Sequence, residues 1–330
     1  MERLAQVQTW LNAVLPGQRF DLAPASSDAS FRRYFRVTLD TRSLIVMDAP
    51  PQLENCAPFI HVAQLFGAAG VHVPEILAQD LAQGFLLLSD LGPDTYLAHL
   101  NADSADALYA DANAALIKIQ LASKPNQLPP YDAALLMREM RLFPDWYVAK
   151  HLQVQLTPNQ SAVLENALQL ILDQVLAQPT VYVHRDYHAR NLMVSAPNPG
   201  VLDFQDAVVG PITYDLASLY KDAYIAWDEE RLLDWTVRYW QAAKQAHLPV
   251  ADDFGAFYRD FEWMGMQRHI KVLGIFARLY HRDGKAGYLK DMPLVLGYLR
   301  SACERYRALG PMLQLLDELH GSEQSIGYTF

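Results

Sequence analysis

His184-Arg185-Asp186-Tyr187-His188-Ala189-Arg190-Asn191, followed twelve residues after its last member by Asp203-Phe204-Gln205, carries the decisive pattern of this 330-residue chain. It reads H-x-D-x-x-x-x-N. Strand-like fragments at 181–184, 192–194 and 201–203 surround it, so a short β-loop-β insert bears both segments. Asp186, with an ordinary carboxylate pKa of about 3.9, is ionised at neutral pH and can orient a hydroxyl and accept its proton. Asn191 offers an amide oxygen and Asp203 a carboxylate, both hard ligands suited to magnesium. Asp203 closes a β-run, which lets its side chain leave the sheet. Asp, His and Asn also favour turns in their own right, and each taken singly reads as loop chemistry. Together, at this spacing and between strand-like flanks, they point to a site.

Outward from this stretch the two halves differ. Leu4, Val7, Leu11 and Val14 recur at helical spacing up to Pro16-Gly17. Residues 32–39 and 43–49 then alternate around the turn Asp40-Thr41-Arg42 and predict a hairpin. Residues 58–69 predict a helix with Phe59, Val62, Ala63 and Phe66 on one face and Gly70 as its stop, and 76–80 and 84–91 predict two further strands. From 102 to 178 the periodicity is helical, and it resumes from 214 to about 319. The expected organisation is a nucleotide-binding lobe over 1–92 and a mostly helical lobe over 93–330 that holds the catalytic loop, the metal loop and the acceptor site.

Composition excludes several classes. Apolar residues make up 51% of the chain, enough to fill a core, and the net charge is -10, so no basic face invites nucleic acid. Cys56 and Cys303 stand alone, outside any CxxC or Cys/His cluster, and read as reduced structural thiols. Glu2, Arg3 and several glutamines interrupt the first fifteen residues, which therefore lack the apolar core of a signal peptide. No run approaches the ~18 apolar residues of a membrane span. A cytoplasmic protein, with no membrane partner and monomeric, is the expectation.

The loop pair resembles the catalytic and metal-binding loops of the protein-kinase-like fold. Phosphoryl transfer needs a hydroxyl held in line with the γ-phosphate while magnesium neutralises charge on the phosphate oxygens. Gly210-Pro211-Ile212-Thr213-Tyr214-Asp215-Leu216-Ala217-Ser218 is similar to the helix start that follows the metal loop in the aminoglycoside phosphotransferase family of small-molecule kinases. The long activation segment of protein kinases is missing, which favours a small substrate. The likeness to amino-sugar kinases of that family continues through Ser27-Asp28-Ala29-Ser30-Phe31-Arg32-Arg33-Tyr34-Phe35-Arg36, Val46-Met47-Asp48-Ala49-Pro50-Pro51, Leu88-Ser89-Asp90-Leu91-Gly92, Arg138-Glu139-Met140, Phe143-Pro144-Asp145-Trp146-Tyr147 and Asp203-Phe204-Gln205-Asp206-Ala207.

This resemblance implies an α+β, two-lobed protein-kinase-like fold with a small antiparallel sheet and a mostly helical second lobe. It implies ATP and Mg2+ as cofactors and phosphorylation of the anomeric hydroxyl of N-acetylated amino sugars of the bacterial cell wall. Asp186 would be the catalytic base and Asn191 and Asp203 the metal ligands. Asp215 would accept backbone hydrogen bonds from the catalytic loop, a role that coexists with that of a helix cap, and His184 would support the loop.

The chain departs from the kinase pattern in its first lobe. Residues 26–33 hold the place of the phosphate loop without one glycine, and the strand Leu44-Ile45-Val46-Met47-Asp48 has no lysine for the α- and β-phosphates. Arg32 or Arg33 is the expected substitute, with Ser27 and Ser30 as further donors, although exposed arginines at a strand edge are commonly just solvated. Adenine would meet backbone groups at Ser89, Asp90 or Leu91. For the acceptor, Glu139, Arg141, Trp146 and Tyr147 form the richest cluster of the polar groups and aromatic faces that a sugar ring requires, against the alternative that an aromatic stripe on a helix is core. Asp206, Trp263, Gln267, Arg268 and His269 form a second group, and Glu139, Trp146 and Asp206 are the preferred contacts. Two rival functions stand beside this one. An aminoglycoside, choline or a related alcohol could be the acceptor on the same fold, and a non-catalytic nucleotide-binding scaffold would explain the absent lysine and glycines.

Overall fold

The computed structural model describes residues 2–27 and 31–320, without the side chains of Ser26 and Ser27. Two compact units emerge. The first comprises the chain up to Ala122 together with Arg190–Ala207, and the second comprises Ser123–Ala189 and the chain from Val208 onward. Residues 93–122 and 190–207 thus group with the sheet.

In the first unit, α1 (Glu2–Val14) precedes β1 (Asp21–Ser27), β2 (Arg33–Thr38) and β3 (Ser43–Asp48). Then come α2 (Ala57–Ala68), β4 (Ile76–Asp80), β5 (Phe85–Ser89), α3 (Tyr96–His99) and α4 (Ala105–Leu121). The strands form one antiparallel sheet in the order β1-β2-β3-β5-β4. Strand alternation sorts its side chains. Phe35 and Val37 of β2 and Leu44 and Val46 of β3 join Val7, Trp10 and Leu11 of α1 in an apolar cluster. Tyr34, Arg36 and Ile45, of opposite parity, face a cavity on the other side. The strand β1 was not foreseen. Leu22-Ala23-Pro24-Ala25 has little strand propensity, but β1 is the sheet edge, where a proline is tolerated, and the register shifts between Pro24 and Ser26.

The second unit is organised on α9 (Phe254–Asp283), capped by Asp253, whose side chain accepts from Ala256 N, and ended by Gly284 at φ 68. Around it run α5 (Ala133–Met140), α6 (Pro158–Leu176), α7 (Tyr214–Tyr220), α8 (Glu229–Gln245), α10 (Met292–Arg305) and α11 (Gly310–His320). A π-helix, Phe143–His151, lies against α9. The contact is so close that a Cβ on Gly274 would stand 2.4 Å from the carbonyl carbon of Leu142, so only glycine fits there. A two-stranded ribbon of β6 (Thr180–Val183) and β9 (Val208–Pro211) carries the catalytic loop. The short hairpin β7 (Leu192–Met193) with β8 (Gly200–Val201) belongs to the first unit and carries the metal loop. Among the described residues, no helix is long and apolar enough to cross a membrane.

Candidate active site

A cavity of about 420 Å³ opens within the first unit, walled by Tyr34, Arg36 and Ile45 on the sheet side and by Met193 and Leu202 from the β7–β8 hairpin. Ser89, Asp90 and Leu91, expected to meet the adenine, line it, as do Asn191 and Asp203. Asp90 is fixed by its own neighbours. Burial would raise its carboxyl, but hydrogen bonds from Arg36, Ser43 and Gly92 N hold it below the ordinary carboxylate value. Gly92 accepts φ 100, a backbone state closed to most side chains.

The metal loop is built from a strained residue and a buried anchor. Asp203 adopts φ 62, rare for a non-glycine. The next side chain, Phe204, is fully buried and packs 4.9 Å from Phe59 and 6.1 Å, edge-on, from Phe66, both on α2. Its burial offsets the backbone cost and aims the carboxylate into the cavity. Leu202 N donates to Asn191 O at 2.9 Å, tying together the segments that carry Asn191 and Asp203. Asn191 Nδ2 donates to Asp203 Oδ2 at 3.3 Å, and Gln205 Nε2 donates to Asp203 Oδ1 at 2.8 Å. Gln205 Oε1 is buried and without a hydrogen-bond partner. Carboxylate and amide oxygens, with no sulfur or imidazole among them, fit a hard cation such as magnesium.

In the second unit, β6 delivers His184 to the catalytic loop. Asp215, on the first turn of α7, accepts His184 N at 2.7 Å and Arg185 N at 3.0 Å. At the far end Ala189 N donates to Asp222 Oδ2 at 3.0 Å, while Asp222 Oδ1 accepts Tyr224 N at 3.2 Å. Two carboxylates seven residues apart therefore pin a six-residue loop at both ends. Burial pushes the Asp215 carboxyl up to about 7 against those two amide bonds. Asp186 lies between the pins. Burial alone would raise its carboxyl, but Lys271, His188, Arg268 and Arg185 together pull it down to about 2.

A hub of buried charge supports this loop. Glu139 pairs with Arg185, accepts from Tyr131 OH and stands 3.4 Å from Lys271 Nζ, which donates to Tyr214 OH at 2.9 Å. Burial opposes ionisation of Glu139, and Lys271 and Arg185 outweigh it, leaving the carboxyl below its ordinary value. Arg185 adopts φ 78 and lies over the Tyr131 ring at 5.3 Å.

The remaining expected residues fall in different places. Arg33 binds Asp48, which Arg3 also reaches at 2.8 Å, and the parity of β2 puts it on the α1 face rather than in the cavity. Arg32 approaches Glu54 at 3.7 Å. Ser30 lies outside the described residues, and of Ser27 only the backbone, at the end of β1, is described. Arg141 forms a bidentate pair with Glu165 at 2.9 and 2.8 Å on an exposed face. Trp146 is half-buried in the π-helix, and Asp206 is exposed. Sequence reading missed Lys271 and Asp222. The available signal was a lysine three residues after Arg268 on a long helix, and a second aspartate seven residues after Asp215.

These loops define a class. Residues 21–254 match the phosphotransferase enzyme family, APH, and the chain belongs to that family. Over 98% of its length it is 50% identical to the N-acetylmuramate/N-acetylglucosamine kinase of Pseudomonas putida, covering 98% of that protein. It is 48% identical over its whole length to the protein of that name from Neisseria meningitidis serogroup B, all of which it covers. Among solved structures, the choline kinase of Streptococcus pneumoniae superposes with a TM-score of 0.65 at 12% identity, over 91% of this chain and 100% of that one. A choline/ethanolamine kinase family protein from Mesorhizobium loti gives 0.64 at 13% identity, over 96% and 99%. The fold is accordingly the protein-kinase-like α+β fold, with a small antiparallel sheet in the N-terminal region and a mostly helical remainder.

Proposed function

We propose that this protein is an ATP-dependent sugar kinase that phosphorylates the anomeric hydroxyl of N-acetylmuramate and N-acetylglucosamine in the recycling of bacterial cell-wall sugars. The observation that carries this reading is whole-chain identity of 48–50% with kinases of that name, in a chain that has Asp186, Asn191 and Asp203 at the motif positions. We assign it to the cytoplasm, where ATP is made available, and as a monomer.

Asp186, ionised at every physiological pH, orients the sugar hydroxyl and accepts its proton as the phosphorus–oxygen bond forms. Asp215 and Asp222 hold its loop still, and the Glu139–Arg185–Lys271 cluster supplies the positive surroundings that keep it charged. Asn191 and Asp203 would hold the magnesium ion, whose contribution when bound is to neutralise charge on the phosphate oxygens. Ser89, Asp90 and Leu91 would receive the nucleotide, and Arg32 with the Ser27 and Ser30 segment would meet its phosphates. Arg33, turned to the α1 face, is not needed for that role. For the acceptor, Trp146 and Asp206 keep accessible surface and are carried forward, whereas Glu139 and Arg141 are already committed to ion pairs.

The test is phosphoryl transfer from magnesium-ATP to N-acetylmuramate, N-acetylglucosamine, glucose and kanamycin, with the position of the phosphate read by NMR and Asp186→Asn as control. Amino-sugar 1-phosphate that disappears in the control is the expected result. Phosphorylated kanamycin without any sugar product would transfer the same machinery to another acceptor and end this substrate assignment.

A further inference from the structure

Arg36 is the cation that β2 turns into the nucleotide-sized cavity, and its hydrogen-bonding edge is already engaged. Nε donates to Asp90 Oδ2 at 2.6 Å and Nη2 to Asp90 Oδ1 at 3.1 Å, and Nη2 also donates to Gly92 O at 3.1 Å. The Asp90 side chain is 4% exposed and that of Arg36 is 31% exposed, so the fork grips from a buried base while the guanidinium reaches the cavity wall. A guanidinium held along one edge by a bidentate carboxylate is a fixed plane. The Nε and Nη2 donors on that edge serve the protein, and the braced plane presents a flat, weakly hydrated face of the kind that stacks on aromatic rings. The rest of the cavity suits the same guest, for Ile45 and Leu88 on the sheet side and Met193 and Leu202 on the hairpin side present apolar surface. Arg36 is also two residues further along β2 than Tyr34, placing it toward the Ser89–Gly92 segment, which it hydrogen-bonds through Asp90 and Gly92.

We propose that Arg36, braced by Asp90, is the platform on which the purine base of ATP stacks. The proposal rests on the kinase reading above and deepens it, assigning a charged plane to a wall that composition alone would fill with an aliphatic side chain. It also gives Asp90 a purpose: its carboxylate fixes the orientation of the plane and contacts no nucleotide itself.

The test is calorimetric titration of the full chain with adenosine and, separately, with magnesium-ADP, on the wild type and on Arg36→Met. Loss of the stacking face is expected to weaken both ligands by the same factor, about tenfold, because adenosine has no phosphate to lose. Weakened ADP with unchanged adenosine would make Arg36 a phosphate ligand and overturn the proposal, as would no change in either. If thermal unfolding shows that Arg36→Met does not fold, Arg36→Lys keeps a charge beside Asp90 and removes the plane. An equal loss for the two ligands is again expected, and wild-type adenosine affinity in that variant would overturn the proposal. A wild-type protein that binds neither ligand would instead bring down the kinase reading itself, so the two failures are told apart.

Discussion

The backbone amide of Ala189 donates a 3.0 Å hydrogen bond to the carboxylate of Asp222, a residue that is only 1% exposed. A buried amide left without its acceptor carries its full desolvation cost, and bonds to charged groups contribute about 1.5–3 kcal/mol. Asp222→Ala is expected to lower stability by about that amount in urea unfolding. It should reduce kcat more than the KM for ATP, because the loop it pins carries Asp186, the proposed base, and not the proposed nucleotide wall. Asp222→Asn keeps one acceptor oxygen and should recover part of both losses. A variant with wild-type kcat would remove Asp222 from the positioning of the loop.

Lys271 is the foremost of the cations that oppose the effect of burial on Asp186. The Asp186 carboxyl in the folded protein sits at about 2, below its ordinary 3.8, so its ionisation contributes stability above that ordinary value and loses it as pH falls toward 2. Lys271→Met removes the largest favourable charge and lets burial dominate. The acid limb of kcat/KM should then move to higher pH by about one unit or more, whereas Lys271→Arg should leave it in place. A pH–rate profile superimposable on that of the wild type would show that Lys271 does not set the charge of the base.

Asp215 behaves in the opposite sense. Its folded carboxyl is pushed up to about 7 from an ordinary 3.8, so the folded state holds a proton that the unfolded chain releases. The associated stability is fully present below the ordinary value and is lost as pH rises through 7. Asp215→Asn removes the titrating group at the cost of one amide acceptor. Melting temperatures of variant and wild type should therefore converge as pH rises from 5 to 8. A gap that stays constant over this range would mean that Asp215 is ionised in the fold throughout.

Phe204 anchors the left-handed Asp203 against Phe59 and Phe66. Phe204→Ala should cost about 3–5 kcal/mol through the cavity it leaves. It should also raise the KM for magnesium-ATP, since the Asp203 carboxylate would lose its aim. Phe204→Leu should restore most of the stability and less of the KM. A stability loss with no change in KM would separate the anchor from the metal loop.

Much of this was readable beforehand where physics repeats along the chain. The 184–191 and 203–205 segments stood out because their spacing is dictated by chemistry. The β2–β3 hairpin and α2 emerged from alternation and helical periodicity that tertiary packing then used without change. What escaped lacked a local signal. The strand β1 exists only because a sheet edge accepts Pro24, and β9 is a brief ribbon partner for β6 whose few valines precede a proline. Arg33 and Arg36 look alike in the sequence. Only the parity of β2, fixed by which of its residues meet α1, sends one to Asp48 and the other to the cavity. The charge around Asp186 was invisible because Lys271 comes from a helix 85 positions downstream.

The sheet-bearing unit is discontinuous, made of the chain up to Ala122 and the later excursion Arg190–Ala207. A ribosome making this protein therefore releases five strands and α1 long before Met193, Leu202 and Phe204 exist to wall the cavity or to cover Phe59 and Phe66 on α2. During the synthesis of the intervening 67 residues, Ser123–Ala189, the nascent sheet waits with an apolar surface open to solvent. The cavity is not fully walled until the Arg190–Ala207 segment has left the exit tunnel. The order of translation thus leaves this apolar surface uncovered throughout that interval, a state prone to aggregation.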